Sequence, residues 1–209
     1  MKRTITVTGT GSAKAAPDLV TLTLGVETRR ETAGKAYDDA GKAASAVASA
    51  LHEAGVAGVD VRTSGLNLRA DVAWVEGQGQ KVTAYVASTT LQVGIRTQAD
   101  APAAIAAAVA AGGDDIRING IEQGFADSAP INAEAQEAAW QDALARAEQY
   151  AGLAGARLGA VRSISQQPVP GSPIPLGGLV RASFSAEALP VEAGESSVSA
   201  SVTVEWELL

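Results

Sequence analysis

The residues of this chain that could do chemistry are a short glycine loop, one histidine and a few paired acids. Gly9-Thr10-Gly11-Ser12 resembles a loop in which glycines let backbone N–H groups close on a phosphate. A dinucleotide loop needs a third glycine three residues after Gly11, but position 14 is lysine, and a second strand follows where a helix should begin. The glycines are therefore read as a place where a strand breaks or bulges. His52 is the single histidine, so a triad or zinc site would lack its usual companions. Its place beside an apolar stripe makes it a boundary or solvated residue. Asp38-Asp39, Asp114-Asp115 and the pair Glu134/Glu137 could bind a cation or exchange a proton. Adjacent residues such as Asp38 and Asp39 point about 100° apart on a helix. Asp114-Asp115 follows Gly112-Gly113 and reads as a turn. Glu134 and Glu137 fall at the start of a helix, where the macrodipole favours carboxylates. No acid spacing matches a calcium loop, so no catalytic, cofactor-binding or metal residue is assigned, and no cofactor is expected.

The elements that would have to position such residues alternate between two periods. Ile5-Thr6-Val7-Thr8 and the run from Leu19 to Glu27 alternate every second residue, with Leu22, Leu24 and Val26 on one face. From Thr32 the period lengthens. Ala33, Tyr37, Ala40, Ala44, Val47, Ala48 and Leu51 form one helical stripe, and Gly55 ends it. Strand character returns from Val59 to Leu68 and from Tyr85 to Ile95, joined by a hairpin with its tip at residues 76–80. Asp100 is placed to cap a short Ala-rich helix that has Pro102 in its first turn and stops at Gly112-Gly113. A strand from Asp115 toward Phe125 follows, then a long helix from about Asn132 to Ala154 with Trp140, Ala143, Leu144, Ala147, Tyr150 and Ala151 on one face. Val161 to Ser165 is a short strand. Residues 166–178, with four prolines, read as a long loop outside any sheet interior. Val198 to Leu208 alternates to the end. This order predicts an α+β fold: antiparallel or mixed sheets covered by two long Ala-rich amphipathic helices, with a loose internal pseudo-repeat. One domain over 1–209 is expected, divisible near 1–97 and 98–209, with the C-terminal strand free to return to the first sheet.

Composition narrows the function classes. Apolar residues are 46% of the 209, but aromatics are only 4%, so Ala, Val, Leu and Ile must fill the core through many shallow contacts. A net charge of −7 with scattered Lys and Arg, densest at Arg29-Arg30, argues against nucleic acid as a partner. The absence of cysteine removes disulfides, thiolate nucleophiles and cysteinyl metal sites together. No run approaches the roughly 20 apolar residues of a transmembrane helix. Met1-Lys2-Arg3 leads directly into a strand rather than an apolar leader core. The expected address is cytoplasmic if Met1 is the native start, and periplasmic or secreted if a leader has been removed.

Several segments resemble one family. Ile5-Thr6-Val7-Thr8-Gly9-Thr10-Gly11, Ala16-Pro17-Asp18 and Leu22-Thr23-Leu24-Gly25-Val26-Glu27-Thr28 are similar to the opening signature of SIMPL domains. Val61-Arg62-Thr63-Ser64-Gly65-Leu66-Asn67-Leu68, Ile118-Asn119-Gly120-Ile121, the helix through Ala147, Leu158-Gly159-Ala160-Val161 and Val198 to Val204 match in the same order. The resemblance implies a bacterial protein of the kind often exported to the periplasm or surface, with some immunogenic members and one that forms ring-like, channel-shaped oligomers. Other members are linked to oxidative-stress tolerance, and an animal member to kinase signalling. It carries over no catalytic residues. The expectation is thus a non-enzymatic homo-oligomer whose copies join through sheet edges, helix faces or loops. The alternative is a module that binds a small molecule or a protein segment. An enzyme is disfavoured because the carboxylates lack partners.

Overall fold

The computed structural model describes residues 3–77, 79–166, 174–175 and 194–209. Its elements follow as β1 (Thr4–Ala15), β2 (Leu19–Arg30), α1 (Ala33–Glu53), β3 (Val61–Val75), β4 (Gly79–Ile95), α2 (Ala101–Gly112), β5 (Ile116–Gly124), α3 (Ala129–Leu153), β6 (Leu158–Gln166), β7 (Ile174–Pro175) and β8 (Ser196–Leu208). The fold is α+β, with two sheets and three helices. Two compact units result: one from the described residues of Met1–Pro17, Gly124–Val180 and Gly194–Leu209, the other from those of Asp18–Gln123. The division does not fall at 97/98, because β2 to β5 close one sheet among themselves while β8 returns to β1.

In the unit of residues 18–123 the strand order is β3-β4-β2-β5, and β4 runs antiparallel to both β2 and β3. With α1 after β2 and α2 after β4, the chain traces a split βαββαβ pattern. Alternation in β2 sends Val20, Leu22, Leu24 and Val26 to one fully buried face, where Leu91, Val93 and Ile95 of β4 meet them. Val47 and Leu51 of α1 and Ala104, Ile105 and Ala108 of α2 close this core. Each buried Leu contributes about 1.5–3 kcal/mol relative to exposure. Thr32 caps α1, its side chain accepting from the Lys35 amide at 3.3 Å. Gly55, at φ 93°, turns the chain out of the helix.

Two readings of this unit change. The stripe of α1 that is buried runs through Ala36, Ala40, Val47 and Leu51, and Tyr37 is exposed. Ala40, Val47 and Leu51 are buried as expected, and the change is confined to the start of the helix, where Ala36 turns inward in place of Tyr37 and packs with Ala40 on Ala87. Asp100 makes no side-chain cap to α2; it sits in a 3-10 turn, Gln98–Asp100, that feeds the helix instead.

In the other unit the order is β1-β8-β6, with the two-residue β7 also paired to β8 at Ser196 and Ser197. Pro175 therefore takes part in a short ladder, within a region read as loop. The rest of residues 166–178 beyond Gln166 lies outside the described residues. β1 pairs with β8 in unbroken register from Thr4↔Glu207 to Ala15↔Ser196. Gly9 and Gly11 thus neither break nor bulge the strand, contrary to the reading from the glycines alone. They admit α3. A Cβ on Gly9 would lie 2.7 Å from the Ala143 Cβ, and nearer still to the Ala139 carbonyl oxygen and Ala143 amide nitrogen. Facing these glycines, α3 buries Ile131, Ala135, Ala139, Ala143, Ala147 and Ala151. Of the expected face Ala143, Ala147 and Ala151 are buried, whereas Trp140 and Leu144 sit half-buried at its flank and Tyr150 is exposed. The loose repeat is not visible in the sheets, whose strand orders differ. Among the described residues no helix is long and apolar enough to cross a membrane.

Candidate functional site

The residues singled out for chemistry are placed in ordinary structural roles. The glycines of β1 face helix backbone. His52 lies near the end of α1, and its Nδ1 donates to the Val56 carbonyl at 2.9 Å. This bond joins the helix terminus to the turn that follows it. Asp39 and Asp115, from different acidic pairs, converge on Arg30 at 2.7 and 3.5 Å. Hydrogen bonding to Arg30 holds the Asp39 carboxyl below its usual range. Arg29 pairs with Asp71 at 2.8 Å, so the densest basic pair of the sequence is matched by acids. Asp60 is held low by the Arg96 guanidinium, 2.7 Å away. Glu134 and Glu137 lie beyond the first turn of α3, which begins at Ala129 with Pro130, so the dipole argument does not reach them. No group of three metal-ligating side chains occurs among the described residues.

Two surfaces stand out instead, and neither was legible as a motif. The first is the outer end of the β3–β4 hairpin. β2 pairs with β4 only as far as Tyr85, so beyond that point β3 and β4 continue as a two-stranded ribbon. Gly77 and Gly79 take positive φ at its turn. Alternation places Leu66, Leu68, Val72 and Trp74 on one face of β3, and Val82 lies directly opposite Val72. All five are exposed, Trp74 at 79% and Leu66 at 62%. The cause is the helix above: α1 packs over β2 and β4 and barely reaches β3. β3 is also a sheet edge, interrupted by bulges between Thr63 and Gly65 and between Asp71 and Val72. Of the hairpin tip expected at residues 76–80, Gln78 lies outside the described residues.

The second surface is a cleft in the unit of β1, β6 and β8. Because the glycines draw α3 onto β1 and β8, the helix leaves β6 uncovered. Between the flank of α3 and β6 opens a space of about 330 Å³, walled by Trp140 and Ile164 and floored by Val202. Trp140 leans on the buried Trp206, ring centres 6.0 Å apart and planes at 48°.

An α+β protein with two antiparallel sheets, each backed by Ala-rich helix on part of one face, and with exposed apolar edges rather than clustered reactive groups, is the class these features define. The chain belongs to the SIMPL family, described as proteins of unknown function (DUF541), whose profile matches residues 5–206. It is 32% identical over 215 aligned positions to the 26 kDa periplasmic immunogenic protein of Brucella melitensis, covering 98% of this chain and 84% of that one. The same figures hold for the protein of that name from Brucella abortus. Among solved structures, that of AtUAH in complex with (S)-hydroxyglycine matches at 12% identity with a TM-score of 0.25, over 54% of this chain and 29% of that chain. A likeness at that level carries no argument.

Proposed function

We propose that this SIMPL protein is a non-enzymatic, self-assembling component of the cell envelope, its copies joining through the β3–β4 ribbon. The observation that carries the reading is the ladder of Leu66, Leu68, Val72, Trp74 and Val82, exposed on one face of an edge hairpin. Isolated exposed apolar residues need no explanation, whereas an apolar face that runs along an edge strand onto a two-stranded ribbon calls for a partner. A second copy is the occupant chosen. A two-fold contact needs only one self-complementary patch, and Glu76 and Lys81 bring both signs of charge to the ribbon's end. The periplasmic name of the Brucella relatives supports an envelope address. The pairing of Asp39, Asp60, Asp115 and Asp142 with arginines supports a role without acid–base chemistry.

The test is light scattering on purified chain at tens of micromolar. A mass several times that of one chain is expected, and Val72→Lys with Trp74→Lys should return the monomer with an unchanged circular dichroism spectrum. A wild-type protein that stays monomeric at that concentration overturns the reading, and so does an assembly indifferent to both lysines.

A further inference from the structure

We propose that the cleft between α3 and β6 binds a small amphipathic cation, an ammonium group carried on an aromatic or short aliphatic body. The case starts from how the cleft arises. Gly9 and Gly11 let α3 settle on β1 at backbone contact, and one helix, about 10 Å across, covers roughly two strands spaced about 4.8 Å apart. The third strand, β6, keeps its inner face open, with Ile164 at 60% exposure although it lies directly opposite the fully buried Val204. Packing of the helix therefore creates the cleft, and no loop is needed to form it.

Its chemistry is selective. Trp140, Ile164 and Val202 present an apolar wall and floor, while Gln136, Gln166 and Ser201 are neutral polar groups at the margin. Among the described residues, the single charged one of the lining is Glu137. Glu137 and Trp140 are three residues apart on α3, so they stand side by side on one helix face. Among the described residues no lysine or arginine lines the cleft, and the Glu137 side chain has no hydrogen bond or ion pair. An anion would meet only a carboxylate there, on a chain of net charge −7. A neutral hydrocarbon would cover Glu137 without supplying a partner, which costs desolvation energy. An ammonium ion on an apolar body satisfies both features. Its charge meets the carboxylate and the face of an indole, and its body lies on Ile164 and Val202.

Trp140 is already positioned for this, since its contact with the buried Trp206 holds the ring at the flank of α3. Little rotamer freedom remains for a ligand to freeze. The cleft is at the small end of the range for ligand pockets, about 300–1,000 Å³, and open on one side, which suits a ligand of one ring and a short chain. Cation–π attraction together with a partly exposed ion pair discriminates against a neutral analogue by about tenfold.

The experiment uses the full chain and three probes of one shape: phenethylammonium, 2-phenylethanol and phenylacetate. Binding is followed by tryptophan fluorescence and by amide shifts in protein-detected NMR. Phenethylammonium should saturate with a Kd about tenfold below that of 2-phenylethanol, with phenylacetate weakest. Glu137→Gln should shrink the ammonium preference over the alcohol to the part that Trp140 supplies, while leaving the alcohol affinity unchanged. Trp140→Phe should weaken the ammonium more than the alcohol. Glu134→Gln, on the same helix but outside the cleft, should change nothing. Unfolding curves for each variant establish that it is folded, and Glu137→Gln removes no packing. Equal binding of the three probes, no saturable binding into the millimolar range, or an ammonium preference undiminished by Glu137→Gln each overturns the proposal. The amide shifts of cleft residues do not depend on whether the ribbon assembles, because its residues do not line the cleft, and Trp74→Phe removes the ribbon's own fluorescence from the titration.

Discussion

Replacing Gly9 by alanine tests the packing on which the unit of β1, β6 and β8 depends. The added methyl would sit 2.7 Å from the Ala143 Cβ, where ordinary contact begins at 3.4 Å, so α3 must lift by at least 0.7 Å. The required lift is larger at the Ala139 carbonyl and the Ala143 amide, which lie nearer and cannot rotate away because they belong to the helix ladder. A gap of 0.5–1 Å forfeits roughly a quarter to a half of each dispersion contact along the separated surface. Overpacking ordinarily costs about 1–3 kcal/mol and more when backbone must move. Gly9→Ala is therefore expected to lose about 3 kcal/mol, a fall in Tm of about 6–12 °C for a chain of this size. Gly41→Ala is the same chemical change on the exposed side of α1, with nothing within 4 Å, and it should stabilise by about 0.5–1 kcal/mol. Urea unfolding followed by tryptophan fluorescence reads Gly9→Ala, since Trp140 and Trp206 lie in the affected unit, and circular dichroism reads Gly41→Ala, which lies in the other unit. Adding Ala143→Gly to Gly9→Ala removes one clashing carbon and leaves the backbone clash, so little should be regained. A Gly9→Ala variant within about 0.5 kcal/mol of wild type, or full rescue by Ala143→Gly, would refute backbone-level packing of α3 on β1.

Leu24 and Leu66 separate core from contact surface. Leu24→Ala should cost about 2–5 kcal/mol in urea unfolding, since its side chain is fully buried, whereas Leu66→Ala should leave monomer stability within about 0.5 kcal/mol and weaken assembly in light scattering. Asp142 accepts the Thr10 amide of β1 at 2.9 Å and pairs with Arg146, and these hold its carboxyl below the ordinary 3.8. A folded-state pKa below the unfolded one contributes stability that is complete above the unfolded value and lost as pH falls through the folded one. The advantage of wild type over Asp142→Asn in thermal unfolding should therefore be full near neutrality and shrink below pH 3.8. An advantage independent of pH would show that the charge plays no part.

Much of the framework was readable because two periods do not mimic one another. The alternation of Val20 to Val26 and of Val198 to Trp206 could belong only to strands, and the change of period at Thr32 with the glycine at Gly55 bounded α1 closely. What could not be read was which helical face turns inward when most candidates are alanine. A stripe chosen by size adds Tyr37 beside Ala40 and Trp140 beside Ala143, whereas the chain turns Ala36 inward in α1 and Ala135 and Ala139 inward in α3. The glycines of β1 were misread for the same reason. Their use depends on a helix more than a hundred residues away, which local turn chemistry does not reveal. The ribbon ladder escaped because Leu66, Val72 and Trp74 alternate as a core strand would. Only the footprint of α1 shows them to be uncovered.

That footprint follows from composition. Alanine brings a helix close to a sheet, and a helix that lies close contacts fewer strands than one held off by large side chains that reach sideways. With aromatics at 4%, neither α1 nor α3 has much reach. α1 secures β2 and β4 and leaves β3 bare; α3 secures β1 and β8 and leaves β6 bare. On β3 the bare positions carry leucine, valine and tryptophan in an unbroken face, a surface suited to a partner of the same kind. On β6 the single Ile164 faces a flank that carries Trp140 and Glu137, which suits something small and charged. One packing rule, applied to two sheets, thus yields two different surfaces. Enlarging a helix residue at either margin should abolish one and spare the other. Ala44→Leu, at the partly buried edge of the α1 core contact, would test whether the reach of α1 sets the exposure of β3. Reduced assembly with an unchanged cleft response to phenethylammonium is the expected result, and loss of both together would break the link between footprint and function.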